Sequence, residues 1–372
     1  MSFVYVKQTE KPEGIIDLLD QIDVELGGKP VFIKPNVVVP ASKESGIVTD
    51  PHVVKAIIDF FREKGATEFI VGESPGIGQD VQKCFECAGY KFLEKEEGVR
   101  LVSLNDGERI EVQWKYGTIR IPEIALKSFY VNVAKLKTHM NTTVTLTMKN
   151  QKGLIMDESK KHFHKLGLDE PIAQLAKVVK PDLAIIDGII GIDGDGPLYS
   201  GNKIQSNLLV AGKDILGVDA TGARLMEINP LEVEHIRIAR ELGLGDIDPE
   251  ILGDAIKKVS IKFTRANEEY FQFQKLYNKR NRYACSMCSN SLYEAIMAVK
   301  GNPAYWFKYG PKLAYLIFLK GVNFVSGGNS QLPNKPGKTI CFGECTKNFA
   351  KENGLDWVPG CPPNPKDILR KL

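Results

Sequence analysis

The chain has 372 residues, 43% of them apolar and 26% charged, and a formal net charge of +3. This composition is ordinary for a soluble globular protein, and the length allows one large core, or a large and a small one. So small a net charge gives no argument for nucleic acid, and the longest apolar run, Leu313 to Val325, is too short for a membrane span and carries Lys320.

The N-terminal residues Met1 to Lys7 do not have a signal-peptide layout, so the sequence is read as cytoplasmic. Thiols in that compartment stay reduced. Clustered cysteines there favour metal or redox chemistry over structural disulfides.

Up to about Asp254, short β-branched runs alternate with helical patterns. Strands are expected at Val31–Ile33, Phe69–Val71, Phe129–Val133, Leu183–Ile186 and Leu208–Val210. Asp50 and Pro51 open a helix over Pro51–Lys64, as N-cap and first helical residue. A second helix, Pro171–Val179, leads into the strand at Leu183. Strands that are apolar throughout, alternating with helices, predict an α/β fold: a mostly parallel sheet with helices on both faces.

After Asp254 the character changes. From Ala255 to Lys320 there are twelve Lys or Arg against three Glu, with many aromatics, and residues 327–338 read as an irregular loop. A smaller cysteine-containing lobe is therefore expected over residues 255–372, beside an α/β domain over 1–254.

Five of the seven cysteines fall in that lobe. Cys285-Ser286-Met287-Cys288 is a C-x-x-C pair, Cys341 and Cys345 flank Phe342-Gly343-Glu344, and Cys361 lies between Gly360 and Pro362. Four thiolates converging from loops suit a 4Fe–4S cluster, and Gly343 and Gly360 let backbone N–H groups approach its sulfides. The expected ligands are Cys285, Cys288, Cys345 and Cys361, with Cys341 as the alternative to Cys345. Zinc in a closed four-cysteine site is the rival. The phrase Val358-Pro359-Gly360-Cys361-Pro362-Pro363 resembles the cluster-binding tail of the small iron–sulfur subunits of NADH dehydrogenases and nickel-iron hydrogenases. In those subunits the Gly-Cys-Pro-Pro cysteine ligates a 4Fe–4S cluster. A second C-x-x-C, Cys84 to Cys87, reads as a pair of small core residues on a helix, with a redox dithiol as the alternative.

Polar residues gather at the expected strand ends of the first lobe. Lys135, Lys137 and His139 follow one strand. Alternating threonines then lead from Thr143 to Met148-Lys149-Asn150-Gln151-Lys152-Gly153. Cations, an imidazole and an amide beyond a strand's carboxyl end suit a small anionic substrate, a phosphate or a carboxylate. His162 and His164 share a side if extended and are splayed by a helix. Asp187 ends another strand, where α/β enzymes place catalytic carboxylates. Asp193 and Asp195, among glycines, read as turn formers.

In order, Lys34-Pro35-Asn36, Thr49-Asp50-Pro51, Lys135 to His139, Met148-Lys149-Asn150 with Gly153, Asp187-Gly188, Gly194 to Pro197 and Val218-Asp219-Ala220 resemble domain-of-unknown-function family 362, over about residues 30–250. Members often carry extra iron–sulfur modules. The resemblance implies a shared site of Lys34, Asn36, Lys137, His139, Lys149, Asn150, Asp187 and Asp219, and no settled reaction.

Three functions are compatible with these residues. The first is an iron–sulfur oxidoreductase or electron-transfer protein of anaerobic type, acting with a redox partner on a small anion near the cluster. In the second, Asp187 and His139 act on a phosphate or carboxylate, with Mg²⁺ as an optional partner, beside a structural cluster or zinc; the catalytic residues expected overall are His139, Asp187 and Lys137. In the third, the basic aromatic segment binds RNA, a membrane surface or a redox partner, against the alternative of ordinary packing.

Overall fold

The computed structural model describes residues 2–267, 270–279 and 281–372. Its main sheet has nine strands. Eight follow the order Glu250–Gly253, Phe3–Gln8, Gly201–Gly212, Leu183–Gly194, Phe129–His139, Val31–Lys34, Phe69–Glu73 and Val99–Ser103, and Thr143–Thr145 pairs with Phe129–His139. The five strands from Leu183–Gly194 to Val99–Ser103 are parallel to one another, while Phe3–Gln8 and Gly201–Gly212 form an antiparallel pair. The expected mostly parallel α/β sheet is what the chain forms, and all five predicted strands are present.

Two cores cover this sheet, one on each face. Val31, Ile33, Val131, Val133 and Ile185 join the first with helix Pro51–Glu63. Phe32, Tyr130, Leu136, Ala184 and Ile186 join the second with helices Asp169–Val178 and Ile215–Leu225. This odd–even split is the period-2 alternation of a strand buried on both faces. Asp50 caps the first helix by accepting the His52 N–H (2.8 Å), as its place before Pro51 predicts.

Two strands run well beyond their predicted length. Phe129–His139 has 11 residues and Leu183–Gly194 has 12. Their distal halves are polar or glycine-rich, so an apolar run marks only the portion inside the cores.

The C-terminal lobe contains a second sheet that composition does not announce. Its five strands are Tyr270–Phe273, Leu276–Lys279, Val322–Val325, Lys338–Phe342 and Asp356–Val358. Helices Ser286–Gly301, Pro303–Tyr315 and Pro365–Lys371 share a core with it through Leu292, Leu313, Phe324, Ile340 and Ile368. The segment after Asp254 still belongs to the first lobe, since Val259 and Phe263 are buried in its core. Among the described residues no helix is long and apolar enough to cross a membrane.

Candidate functional site

The parallel strands end on a common edge and deliver polar side chains there. Along Phe129–His139, Val131 and Val133 face the first core, and alternation carries the same face on as Lys135, Lys137 and His139. Lys34 ends the neighbouring strand and Glu73 the next one. The chain then folds back as Thr143–Thr145 and turns into the short helix Thr147–Asn150, which brings Lys149 and Asn150 to the same edge. Ligands of open α/β sheets bind beyond such carboxyl ends.

Between these elements lies a small cavity of about 100 Å³, compared with about 30 Å³ for a molecule of liquid water. Its wall includes Lys34, Asn36, Lys137, His139, Lys149 and Asn150, all six expected from sequence, together with Glu73, Lys152, Lys160, His164 and Cys285.

The cations there differ in how they are compensated. Lys34 is fully buried and pairs with Glu73 (2.9 Å), whose carboxylate also accepts the Val37 and Ser74 N–H groups (2.9 Å each). Lys160 is tied to the Pro75 carbonyl (2.7 Å) and to Asp157 (3.2 Å). Lys137 meets only neutral oxygens, Asn36 Oδ1 at 2.6 Å and the Ile47 carbonyl at 2.8 Å. Lys152 lies 2.9 Å from His164 Nε2. Lys149 has no hydrogen-bond acceptor among the described residues. Lys137, Lys149 and Lys152 therefore face the cavity without a hydrogen-bonded carboxylate among the described residues, and Asp169 acts on Lys149 only through space.

Desolvation is the main cause of the shifts in this wall. Burial, with Lys135 nearby, brings Lys137 down from 10.5 to about 7. Burial brings Lys152 to about 8 and holds Lys149 well below the usual lysine range, with Lys152 adding to the effect on Lys149. Burial first, then Lys149 and Lys152, keep His139 well below its ordinary value, so its ring is neutral at pH 7. His139 Nδ1 accepts the Asn141 N–H (3.0 Å), which leaves the proton on Nε2 as a donor.

Helix Asp157–Leu166 settles the two downstream histidines. It splays them: His164 is buried at the cavity with Lys160 and Phe163, while His162 is exposed. The buried Nδ1 of His164 has no hydrogen-bond partner among the described residues.

Two expected site residues lie elsewhere. Asp187 is fully buried 2.7 Å from Lys135 and accepts the Asp50 N–H (2.8 Å), which ties the strand to the helix cap. Asp219 accepts the Thr147 and Met148 N–H groups (2.7 and 3.0 Å), so it caps the helix that carries Lys149. Neither lines the cavity. Both hold backbone donors that would otherwise be orphaned at helix N-termini.

Glu73, Lys152 and Lys160 are in the wall but were not among the expected site residues. Glu73 has a readable signal, since it ends a parallel strand next to the one ended by Lys34.

The thiols of the second lobe meet beside this cavity. Cys285 caps helix Ser286–Gly301, with its Sγ accepting the Met287 N–H (3.4 Å), and Cys288 lies one turn on. Cys345 lies in the short turn Glu344–Thr346. Cys361 follows strand Asp356–Val358, and Glu344 clasps its loop by accepting the Gly360 N–H (2.9 Å). Burial raises the Cys288 thiol well above its ordinary value, and Cys285, Cys345 and Cys361 push it further in the same direction.

Gly343, at φ 92°, lies against two of these sulfurs. A methyl group on it would sit 3.3 Å from Cys288 Sγ and 3.4 Å from Cys345 Sγ. The Gly327 N–H donates to Cys345.

Cys341 is set apart. It is buried among Val325 and Ala350, on the other side of its strand, and burial alone raises its thiol to about 11. Cys84 is likewise a core residue, while Cys87 is exposed.

Four thiols from three segments of the chain thus come together, with amide donors and a glycine against the sulfurs. Among the described residues no three His, Cys, Asp or Glu close tightly enough to hold a single metal ion. Asn141, two residues after His139, donates to the Ala284 carbonyl (2.7 Å) and so ties the cysteine loop to the lysine wall.

A family model described as a domain of unknown function, DUF362, matches residues 31–224. The chain belongs to that family. The DUF362 span contains every lysine and histidine of the cavity wall, and Cys285 and the other clustered thiols lie beyond it.

A thylakoid-associated protein of Synechocystis sp. is 27% identical over 231 residues, covering 60% of this chain and 71% of the relative. A crystal structure of a protein from Thermotoga maritima aligns over 94% of this chain and 91% of its own, with 12% identity and a TM-score of 0.39.

Proposed function

We propose that the protein is an iron–sulfur oxidoreductase or electron-transfer protein in which a 4Fe–4S cluster on Cys285, Cys288, Cys345 and Cys361 serves a small anion held by the lysine wall. The observation that carries this reading is the position of Cys285, which belongs both to the thiol group and to the wall of the cavity with Lys149 and Lys152. A bound group at Cys285 would lie within contact of an anion there, where electrostatic coupling is strong.

Zinc is the rival occupant, since the same four cysteines would suit a closed tetrahedral site. The cluster would supply or accept one electron at a time. The chain's own residues would do the rest. Lys137, Lys149 and Lys152 neutralise the anion, and His139 Nε2–H donates a hydrogen bond that orients it. The non-redox alternative requires Asp187 and His139 to share a substrate, but Asp187 is sealed in its pair with Lys135.

The test is iron, sulfide and zinc per chain on protein purified without oxygen, with visible spectra before and after dithionite. About four irons and four sulfides, with absorbance that bleaches on reduction, are expected for a cubane. One zinc and no sulfide would end the redox reading.

A further inference from the structure

The helix Pro303–Tyr315, prolonged through Leu316–Lys320, turns an apolar face away from the protein. Leu313, Leu316 and Ile317 anchor its inner side in the lobe's core. The outer side shows Phe307 (82% exposed), Tyr315 (51%), Phe318 (55%) and Leu319 (67%), with Trp306 (51%) at its margin. Phe307, Pro311, Tyr315 and Phe318–Leu319 follow one another at three- and four-residue steps, so they form a single stripe along the helix. Aromatic and aliphatic groups this exposed and contiguous mark an interaction surface.

The charge around the stripe is of one sign. Between Glu294 and Glu344 the sequence has no acidic residue and six lysines, Lys300, Lys308, Lys312, Lys320, Lys335 and Lys338. Lys308, Lys312 and Lys320 are exposed beside the stripe, and none has an acidic partner among the described residues.

We propose that this face docks the protein on an anionic lipid bilayer. Phe307, Tyr315, Phe318 and Leu319 enter the boundary between headgroups and acyl chains, and Lys308, Lys312 and Lys320 lie against lipid phosphates.

The combination of residues selects this occupant. Protein–protein interfaces are depleted in lysine, whereas an apolar stripe flanked by lysines, with Trp and Phe on it, is the composition of helices that lie in a membrane surface. Lysine stems cover apolar surface while their ammonium groups reach the headgroups. The helix lies along the surface and does not span it. This docking holds whether or not the thiols carry a cluster.

The experiment is co-sedimentation of the full-length protein with vesicles of phosphatidylcholine alone and of equal parts phosphatidylcholine and phosphatidylglycerol, at low and high salt. Binding is expected only to the phosphatidylglycerol vesicles and should weaken with salt. Lys308→Glu with Lys312→Glu should lower the affinity on the order of thirty-fold. Phe307→Ser with Leu319→Ser should lower it on the order of tenfold or more. Phe307→Trp should retain binding. All these positions are exposed, so unchanged thermal unfolding of each variant is the control.

Absence of binding to anionic vesicles, or binding untouched by both double substitutions, overturns the proposal. So does a concentration-dependent dimer that Phe307→Ser with Leu319→Ser abolishes, because the occupant is then a second copy. Salt-sensitive binding to single-stranded RNA that displaces the protein from vesicles also overturns it.

Discussion

At the scale of single residues, the site is defined by which lysines have a carboxylate and which do not. Lys34 has Glu73, while Lys149 has no hydrogen-bond acceptor among the described residues. An anion is therefore expected to bind through Lys149, with Lys137 and Lys152 beside it. Lys149→Gln should weaken sulfate binding by about ten- to a hundred-fold, the loss of one charge-assisted hydrogen bond. Calorimetric titration with sulfate checks this, and an unchanged affinity would place the anion elsewhere.

Lys137 adds a pH dependence. Its folded value is brought down by burial to about 7. A bound anion favours the protonated amine, so binding above that pH must take up a proton. Affinity for sulfate, whose charge is constant, should fall as pH rises above about 7. The slope should flatten in Lys137→Met. A profile that rises with pH would contradict the assignment.

At the scale of elements, the wall depends on two backbone supports. Gly153 lies against the Lys34–Glu73 pair. A methyl group there would sit 2.0 Å from Glu73 Oε1 and 2.5 Å from Lys34 Nζ. Gly153→Ala is expected to force the buried pair apart and to destabilise the fold by about 3 kcal/mol or more, because separating one partner leaves an uncompensated charge. Urea unfolding measures it, and a change below about 1 kcal/mol would show that the pair can shift freely. Asp219 is the second support. Asp219→Ala removes the acceptor of the Thr147 and Met148 N–H groups and should cost about 2–4 kcal/mol for two orphaned donors. Because the helix that presents Lys149 would fray, sulfate affinity should drop as well. The same element logic explains the histidines: only a helix sends His164 inward and His162 outward, and the pattern of buried Lys160, Phe163 and His164 is its inner face.

At the scale of the whole molecule, the two lobes meet where Cys285 enters the lysine cavity, and the thiols divide into four that converge and one that does not. Cys345→Ser is expected to lose most of the bound iron, whereas Cys341→Ser should keep it, with both variants measured for iron and sulfide after anaerobic purification. Equal iron in the two would remove Cys345 from the ligand set. The sequence by itself determined the parallel α/β sheet, because strands buried on both faces must be apolar throughout and their turns must carry polar caps. It also determined the family, through the ordered phrases from Lys34 to Asp219, and six of the cavity residues, because strand ends collect ligands. It did not separate Cys341 from Cys345, since the three residues between them fit either choice. Strand alternation and a turn at Gly343 made that separation, sending one thiol into an apolar pocket and the other toward Cys288. Nor did it show that Asp187 and Asp219 serve helix caps, since a carboxylate near a strand end looks the same whether its partner is a substrate or a backbone N–H. Only tertiary packing fixes the partner, because burial leaves each charge to be satisfied by whatever group the fold brings within hydrogen-bond reach.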